Sequence, residues 1–280
     1  MKFIPIIEAL IEVIKPKQTF LLMLTFIITF IVAGGRNVIP AIAAFFTIAG
    51  TTALNMWLDR DIDALMMRTR NRPLPSGELS SKICAIYGIL LFNFGFVLAL
   101  LIRFEFALVL FMGLFFDIIV YTIMLKRKSP YSIVLGGFAG AMPALAGWVA
   151  VEGFTLPGFL IASIVLLWIP SHIWFIAIYY EEDYRKAGIP MFPVVFGVKK
   201  TLEIIIFSTL LIFIILLVLF LVLPMHQLYL LISIPAVLYF LFRALKFALS
   251  PEKSNARKMY KLASVKLGLI FLAILIARII

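Results

Sequence analysis

Three oxygen-bearing side chains, Asn55, Asp59 and Asp63, recur every fourth residue in the run Asn55-Met-Trp-Leu-Asp59-Arg-Asp61-Ile-Asp63. On a helix that spacing puts all three on one face within about 80°, with Asp61 turned away. Oxygen ligands stacked along one face suit a hard cation such as Mg²⁺, which keeps waters and binds through one or two carboxylates plus a substrate phosphate. Arg68, Arg70 and Arg72 follow closely and suit the remaining phosphate oxygens. The plainer reading is a solvated loop whose acids balance neighbouring arginines.

A second acidic run, Tyr179-Tyr-Glu-Glu-Asp183-Tyr-Arg-Lys-Ala-Gly188-Ile-Pro, lies far along the chain. Acids on both sides of one cavity can carry more than one divalent ion around a diphosphate. His172 stands in an apolar stretch, where imidazole is either a haem-iron ligand or a neutral group bonded to a neighbouring helix. Asp117 reads more readily as a partner for a polar group on another helix than as a site residue. The run 136–140, rich in Gly and Ala, either lets helices approach closely or leaves room for a flat ligand. Cys84, the single cysteine, reads as a small packing residue, and His226 as a loop residue.

The elements that must position these groups are transmembrane helices. Hydrophobic residues make up 64% of the 280 positions and charged ones 14%, with a mean hydropathy of +1.14. That leaves too little polar side chain for a water-exposed surface. Segments 19–31, 41–53 and 204–223 are apolar on every side, as a helix crossing the roughly 30 Å hydrocarbon core must be. The pattern predicts an all-α membrane protein with nine spanning helices, near 19–35, 38–58, 80–101, 104–124, 131–151, 156–179, 201–223, 227–247 and 260–279. Residues 1–17 read as an interfacial amphipathic helix, and 1–280 as one domain.

Charge sets the orientation. With the N-terminus cytoplasmic, 22 of the 25 Lys and Arg fall on the inner side, leaving Arg36, Arg103 and Arg278 outside. This satisfies the positive-inside rule and puts both acidic runs at the cytoplasmic boundary, with the C-terminus outside. The net charge of +11 is therefore a topology signal, and no nucleic-acid partner is needed to explain it. Polar groups where a helix leaves the bilayer also default to function, which favours a site at Asn55 and Asp59 over a loop.

At the level of motifs the chain resembles the UbiA superfamily of intramembrane prenyltransferases, and within it the protoheme IX farnesyltransferase (heme O synthase) family. The resemblance rests on Asn55-x-x-x-Asp59-x-x-x-Asp63 with Arg68-Thr69-Arg70-Asn71-Arg72-Pro73-Leu74, and on Tyr121-Thr122-x-x-Leu125-Lys126-Arg127. It rests equally on Gly136-Gly137-Phe138-Ala139-Gly140-Ala141-Met142-Pro143 with Gly147-Trp148, and on Pro170-Ser171-His172-Ile173-Trp174. The last carrier is Asp183-Tyr184-Arg185-Lys186-Ala187-Gly188-Ile189-Pro190-Met191 with Pro193-Val194-Val195.

The resemblance implies nine helices around a central cavity that takes Mg²⁺, farnesyl diphosphate and heme b. It implies Asn55, Asp59, Asp63 and Asp183 as metal ligands, with the three aspartates catalytic. Arg68, Arg72, Lys126 and Arg127 would hold the diphosphate, and His172 is the heme-binding candidate. Where the superfamily carries Asp-x-x-x-Asp, this chain has Tyr180 and Tyr184, so Asp183 stands as the second acid, with Glu181 or Glu182 open as helpers. The implied reaction is farnesyl transfer to a heme vinyl group with addition of water. Membrane lipid and hand-off to heme A synthase or a terminal oxidase are the further partners. Rival readings are the same fold with a quinone precursor, a glycerophosphate lipid or chlorophyllide as acceptor, a cation-coupled transporter, and a non-catalytic oxidase assembly factor.

Overall fold

The computed structural model describes residues 3–280. Every regular element among them is helical: α1 (Phe3–Val13), α2 (Pro16–Val32), α3 (Ile39–Leu65), α4 (Ser81–Ile102) and α5 (Phe104–Leu114), which runs into a π-helical segment (Phe115–Leu125). Then come α6 (Ser132–Glu152), α7 (Leu156–Tyr179), the short α8 (Glu181–Lys186), α9 (Phe192–Val222), α10 (Leu228–Leu249) and α11 (Lys253–Ile279). Among the described residues eight helical stretches are long and apolar enough to span a bilayer. The bent pair α1 and α2, meeting at 46°, brings the number to nine if it crosses as one. The protein is a multi-pass membrane protein.

Several boundaries differ from those expected of the sequence. Helix α3 continues past position 58 to Leu65, because neither Gly nor Pro interrupts it and its charged end can leave the hydrocarbon. Helix α9 starts at Phe192, with Pro193 in its first turn, and breaks at Gly197 (φ 78°) before the apolar stretch begins. The first span sits a few residues early, at Pro16–Val32, and is closed by Gly34 in the left-handed region (φ 95°). Of the expected N-terminal amphipathic helix, Met1 and Lys2 lie outside the described residues. In α1 Ala9 and Val13 are buried in a cluster with Ala53, Met56 and Cys84, while Ile6, Ile7 and Ile11 are exposed.

The helices pack through small residues, as expected where lipid is as apolar as the interface. Gly50 on α3 meets the backbone of α4 at Phe92 so closely that a Cβ could not be accommodated. Gly95 on α4 approaches the Ala43 carbonyl in the same way, at 2.5 Å from a would-be Cβ. In the 136–140 run a methyl at Gly136 would lie 2.6 Å from the Tyr121 ring and one at Gly140 2.7 Å from Ile169, and Gly136, Gly137, Ala139 and Gly140 also line the central cavity. Helix α7 sits centrally, against α6, α9 and α11.

One end of the bundle gathers the charged connections. Arg127, after the π segment, pairs with Asp61 of α3; Arg68, after α3, lies 5.8 Å from the Tyr180 ring; Lys253 of α11 pairs with Glu181 of α8. At the opposite end Arg103 donates to the Val151 carbonyl (2.9 Å) and Arg278 to that of Pro224 (3.0 Å). The first covers a carbonyl in the last turn of α6, and the second one just beyond the end of α9.

Candidate active site

Helix α3 positions the site because its polar residues fall on one face. Thr47, Thr51, Asn55, Asp59 and Asp63, four residues apart, all line a single cavity of about 880 Å³. That is the upper part of the range for small-molecule sites, about 300–1,000 Å³. The deep walls are apolar, including Leu110, Met142, Val165, Ile169 and Phe271. On α2, Leu21 and Leu24 line the cavity yet are 50% and 38% exposed, so this wall opens sideways toward the lipid-facing surface.

At the charged end each motif residue meets a cation. Lys15 donates to Asn55 Oδ1 (2.5 Å), Lys126 to Asp59 Oδ2 (2.5 Å) and Arg72 to Asp63 Oδ2 (2.6 Å). Asn55, Asp59 and Asp63 are 7%, 2% and 4% exposed, so these pairs are largely removed from water. The Asn55 amide nitrogen donates to Thr122 Oγ1 (2.9 Å), and that hydroxyl donates to the Asp117 carbonyl (2.7 Å). The amide oxygen is thereby turned toward the cation. The Thr69 hydroxyl donates to the Asp63 carbonyl and ties down the loop that carries Arg72.

Charge balance at this end is tuned by burial. Burial, with the Arg72 guanidinium nearby, pushes the Lys15 ammonium down to about 8. Burial works against Lys126 too, but the neighbouring Tyr121 phenol and Asp59 carboxylate outweigh it and hold the ammonium above the usual lysine range.

A divalent cation fits the donors present. Asp59 Oδ1 is buried and has no hydrogen-bond partner among the described residues. Leaving such an oxygen unpaired costs about 1–3 kcal/mol, more for a charged group, unless something arrives to use it. No group of three or more His, Cys, Asp or Glu side chains converges among the described residues. A closed protein cage is thus absent there, and the donor set matches the Mg²⁺ mode of one or two carboxylates completed by phosphate.

Of the residues singled out from sequence, Asn55, Asp59, Asp63, Arg68, Arg72, Lys126 and His172 line the cavity. Arg127 and Asp183 do not. Arg127 makes a two-pronged pair with Asp61 on the outer face of α3 (2.7 Å each), which holds its guanidinium above its ordinary range. Asp183 belongs to a separate small hollow with Tyr179, Tyr180, Glu182 and Lys253. The reason is helical phase: on α8 it is Tyr184, one residue on, that is buried and faces the cavity.

Sequence reasoning gave Lys15 and Ser264 no place in the site and set Asp117 aside as a partner for another helix, yet all three line the cavity. Lys15 counted only as a topological charge, although Lys15-Pro16-Lys17 directly before the first apolar stretch was a usable signal. Asp117 reaches the cavity from the π segment, a geometry with no signature in the sequence. His172 lies between the rings of Trp168 and Tyr260, at 4.3 and 4.4 Å between centroids.

A cationic and acidic mouth above an apolar, lipid-accessible chamber defines a membrane enzyme for a substrate with an anionic head and a long apolar tail. The chain belongs to the UbiA prenyltransferase family, whose sequence profile matches residues 17–265, and it is a prenyltransferase. Within that family it is 61% identical over 274 residues to a protoheme IX farnesyltransferase of Archaeoglobus fulgidus, covering 96% of this chain and 98% of the relative. Among solved structures, the fold is shared with a digeranylgeranylglyceryl phosphate synthase (TM-score 0.82, 21% identity, 98% of each chain). It is shared also with an Archaeoglobus fulgidus UbiA homolog bound to DMAPP and Mg²⁺ (TM-score 0.70, 18% identity, 95% of this chain and 99% of that one).

Proposed function

We propose that this protein transfers the farnesyl group of farnesyl diphosphate to a vinyl group of heme b, with addition of water, giving heme O and diphosphate. The observation that carries this reading is the 61% identity to a protoheme IX farnesyltransferase over nearly the full length of both chains. The cavity supports it, because an anion-binding mouth and an aromatic pocket around His172 share one chamber.

In this reading Asp59 and Asp63, oriented with Asn55, hold Mg²⁺. When bound, the ion neutralises diphosphate oxygens as the allylic C–O bond breaks. Arg68, Arg72, Lys126 and Lys15 surround the same mouth and take the charge that grows on the departing diphosphate. With a metal ion held at Asp59 and Asp63, Lys15, Lys126 and Arg72 would be free to turn to phosphate oxygens. Asp183 and Arg127, which lie off the cavity, are left outside this assignment. The farnesyl fragment then has carbocation character at C1, which the Tyr121 ring on the wall shields. The vinyl carbon attacks C1, and water captures the resulting porphyrin-side cation and releases a proton. No protein nucleophile is used.

The 22 of 25 Lys and Arg on one side favour a cytoplasmic N-terminus, an outer C-terminus and a site near the cytoplasmic face of the cell membrane. Residues 1–280 act as one domain, since the cavity draws on α1 and α11 alike. The product, apolar and held beside lipid, is handed within the membrane to heme A synthase or a terminal oxidase.

The test is to incubate the purified protein with heme b, farnesyl diphosphate and Mg²⁺ and to separate hemes by reversed-phase chromatography. A later-eluting hydroxyethylfarnesyl heme is expected. Turnover of a quinone precursor with heme untouched would overturn the acceptor.

A further inference from the structure

His172 is a ring with one edge left free. Trp168 and Tyr260 pack against it at 4.3 and 4.4 Å, and Nδ1 lies 3.1 Å from Ser264 Oγ. The Ser264 hydroxyl also contacts the Tyr260 carbonyl, at 3.2 Å. The hydroxyl has one proton: given to Nδ1 it makes that nitrogen the acceptor, and given to the Tyr260 carbonyl, which can only accept, it leaves a lone pair on Oγ for an Nδ1–H donor. The second arrangement uses both contacts of Ser264 at once, with Nδ1 carrying the imidazole proton. In this tautomer Nε2 holds a lone pair. Nε2 has no hydrogen-bond partner among the described residues, and it is not among the buried orphan atoms although His172 lines the cavity. It therefore remains open to a ligand.

We propose that Ser264 is a positioning residue that fixes His172 in its Nδ1–H form, so that Nε2 ligates the iron of a flat metalloporphyrin entering the cavity. The inference rests on the heme reading above and deepens it by naming the atom that grips the acceptor. A metal-bound histidine almost always donates its second ring nitrogen to such a partner, which sets ring orientation and raises ligand basicity. Coordination at this point holds the porphyrin by its centre, and the vinyl groups at its rim stay free to meet the farnesyl C1. Glycine cannot replace Ser264 in this role, and threonine can.

The experiment titrates the full-length protein in detergent with ferric heme b and follows the Soret band and the electron paramagnetic resonance signal. The wild type is expected to show imidazole-ligated iron. His172→Ala should lose that signature and regain it with added imidazole. Ser264→Ala should bind heme about 10- to 100-fold more weakly, and Ser264→Thr close to the wild type. Binding of farnesyl diphosphate shows that each variant is folded, since neither side chain is bonded to Asn55, Asp59, Asp63 or their cations. A wild type that farnesylates heme while its spectrum is indifferent to His172→Ala overturns the ligation and leaves the heme reading standing. Unchanged heme affinity in Ser264→Ala overturns the positioning role. A wild type that neither binds nor alters heme but prenylates a quinone precursor overturns both readings.

Discussion

Replacing Lys126 with methionine keeps the aliphatic stem and removes only the charge. Its ammonium lies 2.5 Å from Asp59 Oδ2, with the two side chains 14% and 3% exposed. At an effective dielectric of about 20, unit charges at that distance attract by about 7 kcal/mol. Much of this attraction offsets the cost of taking both groups out of water. Removing one partner of a buried pair costs about 3–5 kcal/mol, because the other charge stays buried and uncompensated. Oδ1 of the same carboxylate has no hydrogen-bond partner among the described residues either, so only more distant charges such as Lys15 remain to offset it. Without metal, Lys126→Met is therefore expected to lose about 3 kcal/mol of stability. Added Mg²⁺ should stabilise the variant more than the wild type, since the metal no longer displaces an ammonium from Asp59. Thermal unfolding in detergent, with and without Mg²⁺, reads both effects. A variant as stable as the wild type without metal, or a Mg²⁺ shift no larger than the wild type's, would refute the reasoning.

Asp59→Asn should lower kcat by at least about 100-fold with the fold intact, as expected when a group stabilising transition-state charge is lost, while Asp183→Asn stays within about twofold; single-turnover farnesyl transfer separates them. Arg127→Ala removes an exposed pair with Asp61, so stability should change by no more than about 1 kcal/mol, and transfer rates hardly at all, in unfolding and steady-state assays. Lys15, pushed down to about 8 by burial, is charged below that pH and neutral above it, so affinity for farnesyl diphosphate should fall as pH rises through 8. Lys15→Arg should flatten that pH profile in a binding titration. Gly50→Ala puts a methyl against the α4 backbone at Phe92 and should cost about 1–3 kcal/mol, read as a lowered unfolding midpoint.

Composition and charge made the fold legible, because a bilayer demands long apolar helices and sorts Lys and Arg by side. The face bearing Asn55, Asp59 and Asp63 was legible for a related reason: four-residue spacing becomes a stripe once the helix continues through it, and α3 does. What stayed hidden depended on helical phase or on contacts distant in sequence. Asp183 and Tyr184 are adjacent, and only the turn from α7 into α8 decides which one faces inward. Lys15 and Asn55 are 40 residues apart, and Lys126 and Asp59 are 67, so their pairing follows from packing alone. The same holds for Ser264, 92 residues from His172 and without any motif of its own.

The π winding at Phe115–Leu125 makes chain length a guarded quantity in that stretch, alongside the side chains of Asp117, Tyr121 and Thr122. The segment turns by less per residue than an α-helix, which advances about 100°, but gaining or losing one residue there would still move Lys126 around the axis. Lys126 would then face lipid or a neighbouring helix instead of Asp59. Outside Asp117, Tyr121 and Thr122, substitutions within 115–125 should thus be tolerated far better than insertions or deletions, and the segment serves as a ruler between the far end of the bundle and its charged mouth.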